Sequence, residues 1–329
     1  MRYIIAVLLL LGNFAFAEQA TDEVQDIEIE SPSYNLKPKK PVLYTKEEVE
    51  EEYRSIKPQP VSSSTALATQ SFFARFKIHE PLYIFPAYYS FSKPYSYKLQ
   101  RIDFKTQLSF RLELLDNVMC EFCSFSFDYT QKIYLQSYND AYSSPLRDTD
   151  LSPQLSFIYK RPFNLGGDNY INWISISYRH VSNGETEDIL PEDPRGIVRS
   201  KALDRIILEM NYNKKDLNVR LRVWAILNLG IFDGNRTNPD IGKYIGYGDI
   251  KISYKYRNNL FELTLNNIIN NYFTKEYWNF KGNLELGYSY GMTKNFAIFM
   301  QYIVGHGDSL YEYSLPVNRI GLGVRLRDF

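Results

Sequence analysis

From residue 76 onward, apolar and polar residues alternate one by one through segment after segment. Leu151, Pro153, Leu155, Phe157 and Tyr159 interleave with Ser152, Gln154, Ser156 and Lys160; Phe261, Leu263 and Leu265 interleave with Glu262, Thr264 and Asn266. The same rhythm runs through Ile250, Ile252, Tyr254 and Tyr256 and through Leu284, Leu286, Tyr288 and Tyr290. A period of two means extended strands with one face in an apolar medium and the other in a polar one. A soluble sandwich alternates as well, so the polar face has to decide. It carries large charged side chains: Arg220 and Arg222, Lys251 and Lys255, Lys281 and Glu285. The apolar face is rich in aromatics, with 28 Tyr and 21 Phe in the chain. Charged residues filling a lumen while Tyr and Phe cover the lipid side describe a transmembrane β-barrel. About twelve strand-like segments are predicted over 76–329, with short turns at Asp116-Asn117 and Arg257-Asn258-Asn259 and longer loops near 138–149, 183–200 and 229–244. Phe329 is out of phase with Ile320, Leu322, Val324 and Leu326, so the last strand requires a bulge or a turned-out final residue.

The remainder of the chain agrees with export. Residues 1–17 combine Arg2, the apolar run Ile4 to Leu11 and Ala15-Phe16-Ala17, the layout of a cleavable signal peptide. Residues 18–75 hold Pro32, Pro38, Pro41, Pro58 and Pro60, the acidic stretch Glu47 to Glu52 and three consecutive serines from Ser62. So few apolar residues cannot offset ordering entropy, and a mostly disordered periplasmic segment is expected, with at most a short helix over 47–56. Mean hydropathy is −0.35 and no helix-spanning apolar run exists past the N-terminus, which excludes a helical membrane protein. Lys plus Arg and Asp plus Glu are 38 each, so charge points to neither nucleic acid nor another polyanion. Cys120 and Cys123 lie in no βαβ context, which leaves a local disulfide or two idle thiols ahead of a redox motif.

Chemistry concentrates around Ser177-Tyr178-Arg179-His180-Val181-Ser182-Asn183-Gly184. Residues two apart share a strand face, so His180 and Ser182 project side by side, as activation of a serine by a general base requires. Ile174, Ile176 and Tyr178 form the apolar series, and His180 and Ser182 continue it toward lipid. In the next strand Ala202, Ile206, Leu208, Met210 and Tyr212 make the lipid face, and Asp204 and Ser200 fall on it too. A carboxylate there is costly unless paired near the membrane rim. One loop joins the two strands, so Asp204 is placed to orient and charge-compensate His180.

These residues resemble the outer membrane phospholipase A family. The run H-x-S-N-G at 180–184 is its signature, and Tyr129-Thr130-Gln131-Lys132, Ser143 to Thr149, Pro153-Gln154, Asn238 to Ile241 with Lys243-Tyr244, and Asn318 to Val324 match it in order. The resemblance implies a twelve-stranded barrel with calcium-dependent phospholipase A1 and A2 activity, active as a homodimer in the bacterial outer membrane. It further implies Ser182 as nucleophile, His180 as base and Asp204 as the orienting group, where family members often carry Asn. By the same likeness the Gly184 backbone N–H is an oxyanion donor, helped by a calcium-bound water. Calcium ligands would be the Ser200 hydroxyl, the Glu185 carbonyl and the Ser143 carbonyl of the partner subunit, and Gln131 would hydrogen-bond across the dimer interface. The acidic 185–199 loop (Glu185, Glu187, Asp188, Glu192, Asp193) is longer than the family's usual connection; its side chains are either additional calcium ligands or a solvated loop.

The resulting expectation is hydrolysis of sn-1 and sn-2 acyl esters of phospholipids and lysophospholipids by a Ser–His–Asp triad on the lipid-facing wall. A passive channel, or a structural barrel acting through its loops, is the alternative, and either leaves His180, Ser182 and Asp204 without a task.

Overall fold

A computed structural model describes residues 75–140, 146–186, 188, 189, 191, 193–227, 238–267 and 281–329. The expected signal peptide, all but the last residue of the 18–75 segment, and Ser143 lie outside the described residues. Among the described residues fourteen strands follow in order: β1 (Phe76–Lys77), β2 (Tyr83–Ser90), β3 (Ile102–Asp116), β4 (Cys123–Leu135), β5 (Leu146–Tyr159), β6 (Phe163–Gly166), β7 (Asn169–Ser182), β8 (Ala202–Lys214), β9 (Leu217–Leu227), β10 (Gly248–Tyr256), β11 (Asn259–Asn266), β12 (Asn283–Gly291), β13 (Phe296–Gly305) and β14 (Val317–Leu326). A single-turn helix, α1 (Ile241–Ile245), lies between β9 and β10.

Twelve of these strands, β2–β5 and β7–β14, close into an antiparallel barrel, with β14 against β2 and β3 against β4 completing the ring. Closure leaves no unpaired sheet edge facing lipid, where an orphaned backbone group would cost several kcal/mol. The two remaining strands decorate one end: β6 folds onto β7, and β1 runs along the lower half of β3. Short turns and long connections alternate as expected. Lys215-Asp216 and Arg257-Asn258 each link two strands with two residues, whereas 183–201 and 306–316 project from the opposite end. By the habit of such barrels the short turns are periplasmic and the long loops extracellular.

Parity separates two environments. Leu155, Ile176, Leu208, Phe261, Leu286 and Leu322 point outward and are exposed in the isolated chain. Inward, the lumen is filled by ion pairs set against a buried aromatic cluster that includes Tyr83, Phe85, Tyr88, Tyr134 and Phe299. Arg147 bridges Asp103 (2.5 Å) and Glu312 (2.6 Å), and Arg319 bridges Asp308 (2.7 Å) and Glu312 (2.6 Å). Lys105 meets Asp308 at 3.0 Å, and Arg325 and Lys251 share Glu262 at 2.6 Å each. Residues 78–82, between β1 and β2, dip into this interior. There Glu80 reaches both Arg220 and Arg222 of β9 at 3.0 Å, and Pro81 accepts a hydrogen bond from Gln107. Polar cavities of about 200 Å³ and 490 Å³ are both lined by Glu80, Pro81 and Arg220.

Three sequence expectations need refinement. Ser200 precedes β8 and belongs to the loop, not to the strand's lipid face. The closing strand ends at Leu326 and keeps one phase throughout, its bulge against β2 adding the extra residue to β2; Phe329 lies past the strand, against the Arg325 and Arg327 guanidinium groups. Cys120 and Cys123 form a disulfide across the turn between β3 and β4.

The 306–316 connection caps the lumen, with the Leu310 and Tyr311 N–H groups donating to Asp150 and Asp148 at 2.9 Å each. Burial alone would raise the Glu312 carboxyl, yet Arg147 and Arg319 outweigh it and hold the group at about 2, below its ordinary 4.5. A depressed carboxylate contributes its full stability above the ordinary value and loses it as pH falls toward the folded one. The urea midpoint in detergent, read by tryptophan fluorescence, is therefore expected to drop between pH 5 and pH 3. Glu312→Gln should start lower and drop less; an equal drop in both proteins would remove Glu312 from the explanation.

Candidate active site

The register of two neighbouring strands builds the site. Antiparallel pairing sets His180 of β7 directly opposite Asp204 of β8, and Ser182 opposite Ala202. His180, Ser182 and Asp204 have the parity of Ile176, Ile206 and Leu208, which are exposed on the outer wall. On the inner side the same register sets Arg179 opposite Arg205, whose guanidinium lies over the Trp224 ring at 5.0 Å. The wall thus keeps its lumenal charges and its outer reactive groups on separate faces.

His180 Nδ1 lies 2.9 Å from Asp204 Oδ1. An ionised carboxylate only accepts, so Nδ1 carries the proton and Nε2 is left as the acceptor a general base needs. The Tyr178 hydroxyl donates to the same Oδ1 at 2.6 Å. Asp204 is only 3% exposed, whereas the His180 side chain keeps 21% of its surface. The carboxylate is therefore sheltered from hydrocarbon by its donors while the imidazole remains reachable. Ser182 ends β7 on the same face two residues further, as strand alternation dictates.

Beyond Ser182 the chain leaves the strand. Asn183 is buried and clamps the base of the loop: its Nδ2 donates to the Arg199 carbonyl (2.8 Å), and its Oδ1 accepts from the Lys201 N–H (2.9 Å). Gly184 adopts φ +63°, a left-handed conformation that side chains resist, and a Cβ there would meet Leu151 Cδ1 at 3.4 Å. The turn carries the backbone after Ser182 out across the wall.

The 183–201 loop then zips upon itself. Ser200 N–H donates to the Thr186 carbonyl (3.0 Å), Arg199 N–H to the Asp188 carbonyl (2.9 Å), and Ile189 bridges Val198. Ser200 and Glu185 are thereby held at the same level of the loop base. Glu187 and Glu192 lie outside the described residues; of the other acidic side chains, Glu185 pairs with Arg199 at 2.6 Å, Asp188 accepts from the Thr186 hydroxyl, and Asp193 is held by Arg195 and by the Tyr311 hydroxyl at 2.7 Å. No group of three or more His, Cys, Asp or Glu able to hold a metal occurs among the described residues. A hard cation at this loop base would depend on neutral oxygens, which the Ser200 hydroxyl and Glu185 carbonyl are.

Gln131 of β4 sits on the outer wall, accepting from the Tyr129 hydroxyl (3.3 Å) and donating to Thr149 Oγ1 (3.4 Å). Both contacts are long. Gln131 and Ser182 flank the same residue, Leu151, from opposite sides. They stand at one level of the wall, about 10 Å apart by strand spacing.

Two residues of this site escape sequence reasoning. Tyr178 has the outward parity of the lipid face, and an aromatic there reads as a membrane contact; only the register reveals its hydroxyl partner. Asn183 has inward parity and its loop partners follow sixteen to eighteen residues later.

The geometry has known counterparts. Residues 62–326 match the family described as Phospholipase A1. Phospholipase A1 of Salmonella typhimurium is 28% identical over 237 residues, spanning 71% of this chain and 73% of the relative. That of Escherichia coli is 30% identical over 226 residues, spanning 68% and 69%. The solved outer membrane phospholipase A of Escherichia coli superposes with a TM-score of 0.66 at 24% identity, covering 77% of this chain and 99% of that one. The Salmonella typhi outer membrane phospholipase dimer with bound calcium gives 0.65 at 24% identity, covering 77% and 92%.

The Asn183 clamp yields a test independent of activity. Asn183→Ala leaves the buried Lys201 N–H without its acceptor, a loss of about 1–3 kcal/mol concentrated at the loop base. Limited proteolysis should cut within 184–199 faster than in the parent while heat-modifiable gel mobility persists. Unchanged cleavage would mean that the ladder between 186 and 200 holds the loop without it.

Proposed function

Because this chain belongs to the phospholipase A1 family and folds as an outer-membrane β-barrel, we propose that it hydrolyses sn-1 and sn-2 acyl esters of phospholipids and lysophospholipids at the membrane surface, with Ser182, His180 and Asp204 as the working groups. The observation that carries this reading is the His180–Asp204 pair at 2.9 Å on the outer wall, beside Ser182 on the same strand face. Soluble hydrolases bring such a pair to a cleft; here the lipid arrives by lateral diffusion.

The steps follow from that arrangement. Ser182 Oγ attacks the ester carbonyl as His180 Nε2 takes its proton. Asp204 fixes the tautomer and balances the imidazolium. The Gly184 N–H donates to the developing oxyanion. His180 then returns the proton to the departing glycerol oxygen, which leaves as lysophospholipid. A water, deprotonated by His180, releases the fatty acid and restores Ser182.

Calcium and a second copy complete the proposal. The solved relative of known calcium content is a dimer, and the hard neutral donors at the loop base suit the ion. The Ser200 hydroxyl and Glu185 carbonyl would hold it with the carbonyl of Ser143 of the partner subunit. When bound, it supplies positive charge near the oxyanion. Gln131, level with Ser182, would pair with its counterpart across the interface, so that dimerisation builds the calcium site and an acyl-chain groove together. Monomers idle; dimers turn over.

The ion pairs from Glu80 across the lumen to Arg220 and Arg222 disfavour a passive channel. Ser182→Ala is expected to lower phosphatidylcholine hydrolysis in mixed micelles by about 10⁴-fold or more, with heat-modifiable mobility intact. A calcium chelator should suppress hydrolysis by the parent protein. Hydrolysis undiminished in Ser182→Ala would sink the nucleophile assignment, and activity indifferent to chelator would sink the calcium reading.

A further inference from the structure

The Tyr178 hydroxyl and His180 Nδ1 converge on a single oxygen, Asp204 Oδ1, at 2.6 Å and 2.9 Å. By register Tyr178 faces Leu155 on one side and Ile206 on the other, both apolar and exposed on the outer wall. Its hydroxyl has therefore reached beyond its own level to the carboxylate two residues along β8. That choice has a physical reason. A carboxylate on a lipid-facing wall loses the water that would otherwise solvate it, so protein donors have to take the place of that solvation. His180 alone supplies one donor, and that donor changes character each time the ring gains or loses a proton. A phenol hydroxyl does not: it donates throughout and, in a charge-assisted bond, strongly. It also constrains the carboxylate's rotation, since Oδ1 cannot turn from Tyr178 without leaving His180.

We infer that Tyr178 is a positioning residue that makes an aspartate workable at position 204. Its hydroxyl holds the carboxylate in place, so that His180 keeps its Nδ1 proton on Asp204 and presents Nε2 to Ser182. The inference rests on the hydrolytic reading above, and it assigns Tyr178 no contact with the reacting atoms. An amide oxygen at position 204 carries no net charge and asks less of a second donor. The dependence on Tyr178 is therefore specific to the carboxylate.

The test is a double-mutant cycle with Tyr178→Phe and Asp204→Asn in the full chain, refolded in detergent and assayed on phosphatidylcholine mixed micelles with calcium. Phe keeps the ring and its lipid contacts, and heat-modifiable mobility reports whether each variant folds. In the Asp204 background, loss of the hydroxyl should lower kcat about tenfold, the scale of one hydrogen bond to a charged group, with KM unchanged. In the Asp204→Asn background the same change should cost less than about twofold. An unaltered kcat, a change borne by KM, or an equal loss in both backgrounds overturns the role of Tyr178. Absence of Ser182-dependent hydrolysis in the parent protein would instead overturn the reading beneath it.

Discussion

Every backbone amide that crosses hydrocarbon must find its partner within the protein, and in an antiparallel sheet that demand is met only when each strand has two neighbours. The ring from β2 through β14 and back to β3 satisfies it. Once the ring is closed, no strand can slip by one residue without exchanging its inner and outer side chains. Register is thus pinned from both sides, and everything attached to the wall inherits that precision. His180 faces Asp204 because the hydrogen-bond ladder puts their Cα atoms opposite one another, before any side chain has chosen a rotamer.

The two faces of the wall follow opposite electrostatic rules. Inside, charge is abundant and mutually compensated: Asp308 alone meets Lys105, Arg319, Tyr88 and Tyr134. The parts of such a network are strongly interdependent, since removing one member strands the others. Outside, charge is scarce. Asp204 is shielded by two donors, and Gln131 finds only long contacts with Tyr129 and Thr149.

Much of this was legible in residue order because period-two alternation is a local property. The outward parity of His180, Ser182 and Asp204 needed only their neighbours Ile176, Ile206 and Leu208, and the barrel needed only the contrast between Tyr or Phe on one face and Arg or Lys on the other. What escaped depends on distance along the chain. Glu80 sits in a short segment between strands, and its partners Arg220 and Arg222 come 140 and 142 residues later. Nothing local distinguishes it from a periplasmic linker. The capping 306–316 connection likewise declares itself through residues far away in the chain, Lys105 on β3 and Arg147, Asp148 and Asp150 on β5. Ser200 was misplaced by one structural step because counting by twos back from Asp204 runs past the point where β8 begins. The cysteine pair was narrowed to two outcomes by context, and the turn after β3 realises the disulfide.

The direct opposition of His180 and Asp204 also separates two kinds of evolutionary freedom. In enzymes whose reactive groups hang on loops, a change in loop length disturbs the chemistry. Here the loop from 183 to 201 fastens to itself above its own base, and the pair below is fixed by the sheet. Insertions near the loop tip can reshape access or partner choice while the reactive geometry stays where the ladder set it. A single residue added within β7 would do the reverse, handing Arg179 to the membrane and His180 to the lumen.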